Sequence, residues 1–205
     1  MTTETPPPTE PLTIRLKGSR TEKNLAAAYA GESMARNRYT FFASKAKKEG
    51  YEQISALFLE TAENEREHAK KFLKLMKGDG SPVHIQLTVG AFSIKSTLEN
   101  LNTAAEGELE EHSQAYPHMA AIAEQEGFTE IAQAFRSIAC VEREHEQRFR
   151  TLAKLVETGT FFKRDHEVTW KCRNCGYVFV GLEAPQVCPV CNHPQSFYEI
   201  KEVLE

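Results

Sequence analysis

A mainly α fold is what this 205-residue chain predicts: four long helices packed as a bundle, then a small β-rich unit that needs a metal to fold. Three observations predict it. Apolar residues recur at 3-4-3-4 spacing through four long stretches, the period of a bundle seam. Two of those stripes carry a Glu-x-x-His unit, Glu65/His68 and Glu142/His145. After Trp170 the composition changes to short apolar runs, turns and two Cys-x-x-Cys pairs.

Composition narrows the class. Hydrophobic content is 40% and charged content 26%, ordinary for a globular chain. A net charge of −4 offers nothing to nucleic acid or to an anionic membrane surface. No apolar run approaches the ~20 residues needed to span a bilayer. The start, MTTETPPPTEP, lacks the basic and apolar regions of a signal peptide, and residues 1–15 read as a disordered tail. With no export signal, the Cys-x-x-Cys pairs favour metal over disulfide, and the chain is expected in the cytoplasm.

The first helix opens at a capping box, Ser19-x-x-Glu22, runs to about Lys48 and stops at Gly50. Its stripe is Leu25, Ala28, Glu32, Ala35, Tyr39 and Phe42. The second runs from about Glu52 to Lys77, with Ile54, Phe58, Thr61, Glu65, His68, Phe72 and Leu75 on one face. The third runs from about Phe92 to Gln125, carrying Glu108, with a kink expected at Pro117. The fourth runs from about Thr129 to Glu157, through Ile131, Phe135, Ile138, Glu142, His145, Phe149 and Leu152.

Short joins make helices one and two, and three and four, antiparallel hairpins. The join between helices two and three differs. Residues 78–91 span about 45 Å if extended, against about 39 Å for the second helix. That segment can run the length of the bundle and leave helices two and three parallel, the mark of a ferritin-like bundle. Alternation in Val83-His84-Ile85-Gln86-Leu87 suggests a short extended stretch there. The bundle is taken as residues 16–158, a linker as 159–169 and the small domain as 170–205.

A glutamate and a histidine three residues apart share one side of a helix, and burying either alone costs several kcal/mol, roughly. Glu32 precedes Glu65 by 33 residues, and Glu108 precedes Glu142 by 34. Each hairpin thus supplies one lone glutamate and one Glu-x-x-His, and a pseudo-twofold axis would gather all six side chains. Four carboxylates balance two divalent ions, and one imidazole per metal suits iron or manganese more than zinc or copper. The alternative is that these are ordinary solvated acids among the 29 of the chain, as Glu63, Glu67, Glu110 and Glu144 are expected to be. Matched offsets in both hairpins outweigh it. Glu111, one turn from Glu108, reads equally as a seventh ligand or a surface acid. Tyr39 and Tyr116 read equally as hydrogen-bond partners of ligand carboxylates or as core tyrosines. Cys140 reads as a small buried hydrophobe.

Cys172, Cys175, Cys188 and Cys191 form two knuckles suited to a tetrahedral S4 site holding iron or structural zinc. Trp170, Tyr177 and Phe197 would make a small aromatic core beside it, which favours rubredoxin-like iron. A two-metal centre in the same chain also favours iron, because zinc would be redox-inert there.

From about Leu16 to the C-terminus the chain resembles the rubrerythrins, in the segments KGSRTEKNL, AGESMARNRY, ETAENEREHAKKF, EGELEEHSQAYP, SIACVEREHEQRF and WKCRNCGY. The resemblance implies a peroxidase with two irons in the bundle and one on the cysteines. Hydrogen peroxide would be reduced to water, with electrons from a reduced-nicotinamide-linked reductase, or a rubredoxin, passing through the cysteine-held iron. It implies that Glu65 and Glu142 bridge the irons, that Glu32 is terminal on one, and that Glu108 and His145 bind the other. Glu111 would bind the first iron when oxidised and give way to His68 on reduction, and would also serve as proton carrier. Tyr39 and Tyr116 would support the ligand carboxylates. A head-to-tail homodimer is implied as well. Departures are the Pro-rich tail and Cys140, where a plain apolar residue is more usual. A ferroxidase or iron-handling role is the first rival, a pure electron carrier the second, and a di-manganese hydrolase or oxidase a weak third.

Overall fold

The computed structural model describes residues 15–201, so the expected tail lies almost wholly outside the described residues. Helix α1 (Arg20–Lys48) starts where Ser19 Oγ accepts the Glu22 N–H at 3.0 Å. The Glu22 carboxylate reaches back to the Gly18 N–H at 2.7 Å, which completes the cap one residue early. Gly50, with φ 84°, turns the chain into α2 (Glu52–Met76). That turn requires the left-handed region, where glycine carries no Cβ penalty.

Helix α3 (Thr97–Glu110) begins at Thr97, five residues after the expected start. Ser96 and Glu99 form a reciprocal capping box that stops the helix extending toward Phe92. The crossover, 77–96, is neither helix nor strand. Val83 and Ile85 are half-buried and alternate with exposed His84 and Gln86, as their pattern suggested, but no neighbouring strand pairs with them.

The expected kink at Pro117 takes a specific form. A π-helical turn, Glu111–Ala115, separates α3 from α4 (Tyr116–Gln125). Pro117 has no N–H to return to the carbonyl four residues back, and the helix absorbs the fault as a wider turn. In pure α geometry Tyr116 would lie about 80° round from Glu108. The π turn advances fewer degrees per residue and brings Tyr116 back to the core face. Helix α5 (Thr129–Glu157) closes the bundle.

Tyr39 bonds Glu108, and Tyr116 bonds Glu32, so numbering rises along α1 as it falls along α3 and α4. Helix α3 is therefore antiparallel to α1 and parallel to α2, as the long crossover predicts. The two hairpins are stapled at both ends. The Glu49 carboxylate accepts the Thr97 N–H (2.7 Å) and hydroxyl (2.6 Å), and the Glu126 carboxylate accepts the Thr21 N–H (2.9 Å) and hydroxyl (2.6 Å).

Partial burial works against ionisation of Glu126, yet hydrogen bonds from Thr21 and Arg20 outweigh it and bring its pKa from 4.5 to about 2. A depressed carboxylate stabilises the fold above its unfolded pKa, and that stabilisation is lost as pH falls through the folded value. Glu126→Gln should thus lower the thermal midpoint at pH 7 by the equivalent of about 1 kcal/mol. The difference from the parent should close toward pH 2. Equal midpoints at neutral pH would refute the staple.

Two apolar clusters sandwich a polar layer. Phe42, Ile54, Phe58, Leu101 and Phe149 lie on one side, and Leu25, Phe72, Ile131 and Phe135 on the other. Among the described residues no helix is long and apolar enough to cross a membrane.

The small unit is a three-stranded antiparallel sheet of β1 (Lys163–Cys172), β2 (Val178–Glu183) and β3 (Tyr198–Ile200), in the order β2-β1-β3. Strand β1 begins inside the stretch read as a linker. Phe162 stacks on Tyr51 at 6.0 Å, and Phe161 meets Tyr51 edge-on at 5.3 Å, seating the sheet on the α1–α2 end of the bundle. Trp170 is buried as expected, but its fully buried companion is Tyr198, with Tyr177 and Phe197 at the margin.

Candidate metal centres

Between the two apolar clusters lie two sets of four side chains, each with ligand atoms within 4.8 Å of one another. One set is Glu32, Glu65, His68 and Glu142; the other is Glu65, Glu108, Glu142 and His145. Glu65 and Glu142 belong to both, as two bridging carboxylates would. His68 Nδ1 lies 2.9 Å from Glu65 Oε2 and 2.9 Å from Glu142 Oε1. His145 Nδ1 lies 2.8 Å from Glu142 Oε2 and 3.3 Å from Glu65 Oε1. All four glutamates are at most 1% exposed.

Whether these residues suit a metal pair is decided by their unspent atoms. Glu32 Oε2 and Glu108 Oε2 are buried with no hydrogen bond, and Glu65 Oε1 and both oxygens of Glu142 meet only the imidazole nitrogens of His68 and His145. Buried polar atoms are almost always satisfied, so five buried carboxylate oxygens that share only two imidazoles across one space want cations. The other oxygens of the lone glutamates are spoken for. The Tyr39 hydroxyl donates to Glu108 Oε1 and the Tyr116 hydroxyl to Glu32 Oε1. Each tyrosine thus orients one buried carboxylate while itself packing in the core, so both readings of Tyr39 and Tyr116 describe what is seen.

The electrostatics agree. Burial pushes Glu32 well above the usual carboxylate range, helped by Glu65, Glu111 and Glu142. Burial also raises Glu65, but hydrogen bonds with His145 and His68 reverse this and hold it near 2. Burial lowers the histidines, but their carboxylate partners overcome it, taking His68 to about 9 and His145 to about 12. Two imidazolium ions thus stand where divalent charge is wanted, and metal entry must expel their protons.

Glu111 lies outside both sets of four but beside them. Burial raises its pKa well above the usual range, with Glu108, Glu142 and Glu65 as its nearest like charges and Arg38 opposing. It also lines a cavity of about 520 Å³ between α1, crossover residues 88–94 and the π turn, with Arg38, Phe41, Phe92 and Ile94 on other walls. The Arg38 guanidinium lies 5.1 Å over the Phe92 ring. Nothing in the apolar periodicity marked Arg38. Cys140 is exposed, against the expectation of burial: two residues before inward-facing Glu142, it turns outward.

The four cysteines converge as their spacing predicts. Sγ of Cys172 lies 3.7 Å from that of Cys191, and Cys175 lies 3.6 Å from Cys188. A disulfide needs about 2.05 Å, whereas tetrahedral ligation at about 2.3 Å sets the sulfurs about 3.8 Å apart. Gly176 and Asn192, with φ of 80° and 59°, let each knuckle fold back under its cysteines. The backbone hydrogen bond to His193 is the main cause that holds the Cys191 thiol down near 6, closer to the thiolate a metal needs.

Family comparison agrees with both sites. Residues 23–153 match the model described as rubrerythrin, and residues 170–199 the one described as rubrerythrin, rubredoxin-like domain. The rubrerythrin of Porphyromonas gingivalis is 55% identical over 184 residues, covering 90% of this chain and 91% of that protein. The rubrerythrin of Nitratidesulfovibrio vulgaris is 48% identical over 185 residues, covering 90% and 96%. Among solved structures, nigerythrin in its fully reduced, all-ferrous state superposes with a TM-score of 0.61 at 30% identity, covering 98% of this chain and all of that one. Mycobacterium tuberculosis bacterioferritin BfrA, 18% identical with a TM-score of 0.59 over 67% of this chain and 86% of that one, shares the fold.

Proposed function

The chain belongs to the rubrerythrin family, with a di-iron carboxylate site in the bundle and a rubredoxin-type four-cysteine site. From that premise we propose that it is a cytoplasmic peroxidase reducing hydrogen peroxide to two waters. Electrons come from a reduced-nicotinamide-linked reductase, or a rubredoxin, through the iron on Cys172, Cys175, Cys188 and Cys191. Glu32, Glu65, His68, Glu108, Glu142 and His145 would hold the iron pair, with Glu111 as a movable seventh ligand. When bound, the pair supplies two electrons and the Lewis acidity that weakens the O–O bond.

The observation that carries this reading is Glu111, placed between the ligand layer and a cavity that reaches the crossover. Peroxide reduction consumes two protons for its two electrons. A carboxyl group whose pKa is raised by burial and like charge keeps its proton more readily than a free carboxylate and can deliver it. Tyr39 and Tyr116 hold Glu108 and Glu32 still while it does so. An electron carrier needs neither Glu111 nor the cavity.

A head-to-tail homodimer belongs to the same proposal. The small domain sits at the Tyr51 end of α2, and Glu65 lies fourteen residues further on, about 20 Å along the axis. Electron transfer weakens steeply with distance, so the nearer cysteine site would be a second copy's.

Rapid mixing separates the rivals. Anaerobically reduced protein should oxidise far faster with peroxide than with oxygen. Fast reaction with oxygen alone, followed by growth of a ferric core, would establish ferroxidation instead. Glu111→Ala should keep its metals yet slow peroxide turnover about a hundredfold, the ordinary worth of a positioned proton donor. Full retained turnover would remove Glu111 from the chemistry.

A further inference from the structure

We propose that Asn64 is a positioning residue that makes the two metal positions unequal, by fixing His145 in one tautomer and ring orientation while His68 has no such support. His145 presents Nδ1 to the carboxylate layer. Its other nitrogen, Nε2, lies 3.3 Å from Asn64 Oδ1. A histidine that ligates through Nδ1 carries its proton on Nε2, and a fixed acceptor there locks the tautomer and raises ligand basicity. His68 also presents Nδ1 to the carboxylates. Among the described residues, no group accepts a hydrogen bond from its Nε2.

The asymmetry is written in the repeat. Aligning Glu65/His68 with Glu142/His145 sets Asn64 against Val141. Each residue immediately precedes the bridging glutamate of its hairpin. Asparagine offers an acceptor across to the other hairpin's histidine, and valine offers none. The six ligands obey the pseudo-twofold axis, while the pair beside them breaks it. His145 is anchored from behind and His68 is free to leave.

This inference rests on the two-metal site and not on peroxide as substrate, so it stands or falls apart from the activity. The test is a titration of protein emptied at the bundle site with Mn²⁺, following free Mn²⁺ by electron paramagnetic resonance. The parent should bind two ions in two steps. Asn64→Leu should weaken one step about 10–100-fold, the usual cost of losing such a partner, and leave the other unchanged. Asn64→Asp, which keeps an acceptor at the same reach, should restore it. Val141→Asn, which puts an amide at the position the repeat pairs with Asn64, should tighten the weaker step. Unchanged binding by Asn64→Leu, or equal weakening of both steps, overturns the proposal. If that variant fails to fold, Val141→Asn decides: no tightening overturns it.

Discussion

Replacing Glu142 by alanine is expected to abolish binding at both bundle metal positions and to destabilise the metal-free fold by about 3–5 kcal/mol, the cost of breaking a buried ion pair. Glu142 is fully buried and is the one carboxylate with an oxygen within 3 Å of both imidazoles, 2.9 Å from His68 and 2.8 Å from His145. It belongs to both ligand sets. Without it, two histidines whose rings lie 6.1 Å apart lose the closer of the two counter-charges they share, and only Glu65 remains to both. Glu142→Gln keeps the volume and removes only the charge, so it should lose the metals with a smaller packing defect. Glu108→Ala should differ in kind. Glu108 belongs to one set, so one metal should go, and the Tyr39 hydroxyl would be buried without its acceptor. Metal content after loading and thermal melting of the metal-free proteins check all three. Two metals retained by Glu142→Ala, with an unshifted midpoint, would refute the shared-bridge reading.

The convergence of these six side chains was legible in the sequence because helix periodicity carries them. A residue in an apolar stripe must face the core whatever the loops do, and a glutamate there must find a partner. The four cysteines were legible for a similar reason, since the knuckle spacing is itself the geometry. What sequence periodicity misses is a change of period. The π turn shifts the register of everything after Glu110, and its only trace is Pro117. That turn decides that Tyr116 comes round to the site. The late start of α3 was readable, because Ser96-x-x-Glu99 is the same signature as Ser19-x-x-Glu22, but the apolar residues Phe92 and Ile94 ahead of it masked it. Phe92 and Ile94 instead wall the cavity beside Glu111. Arg38 and Asn64 flank their stripes and look like ordinary surface residues; their roles depend on contacts across helices. The stretch 159–169 looked like a linker because its apolar residues, Phe161 and Phe162, are spent on Tyr51, a partner over a hundred residues away.

Zinc in place of iron at the four cysteines should abolish turnover driven by a reductase while sparing one round of peroxide consumption by chemically reduced protein. Zinc takes the same tetrahedral sulfur geometry, so the sheet should keep its fold, but it has no redox chemistry. A bundle site that still takes electrons at the parent rate from the reductase would make the cysteine site structural only. The same protein can test the dimer. A zinc-loaded protomer keeps an intact bundle site, and a Glu111→Ala protomer keeps an intact cysteine site. Mixed dimers of the two are expected to recover reductase-driven turnover if electrons cross between subunits. If electrons stay within one chain, the mixture should be no faster than its parts. The roughly 20 Å between Tyr51 and the Glu65 layer, with the cysteine loops beyond it, is the physical reason to expect the crossing.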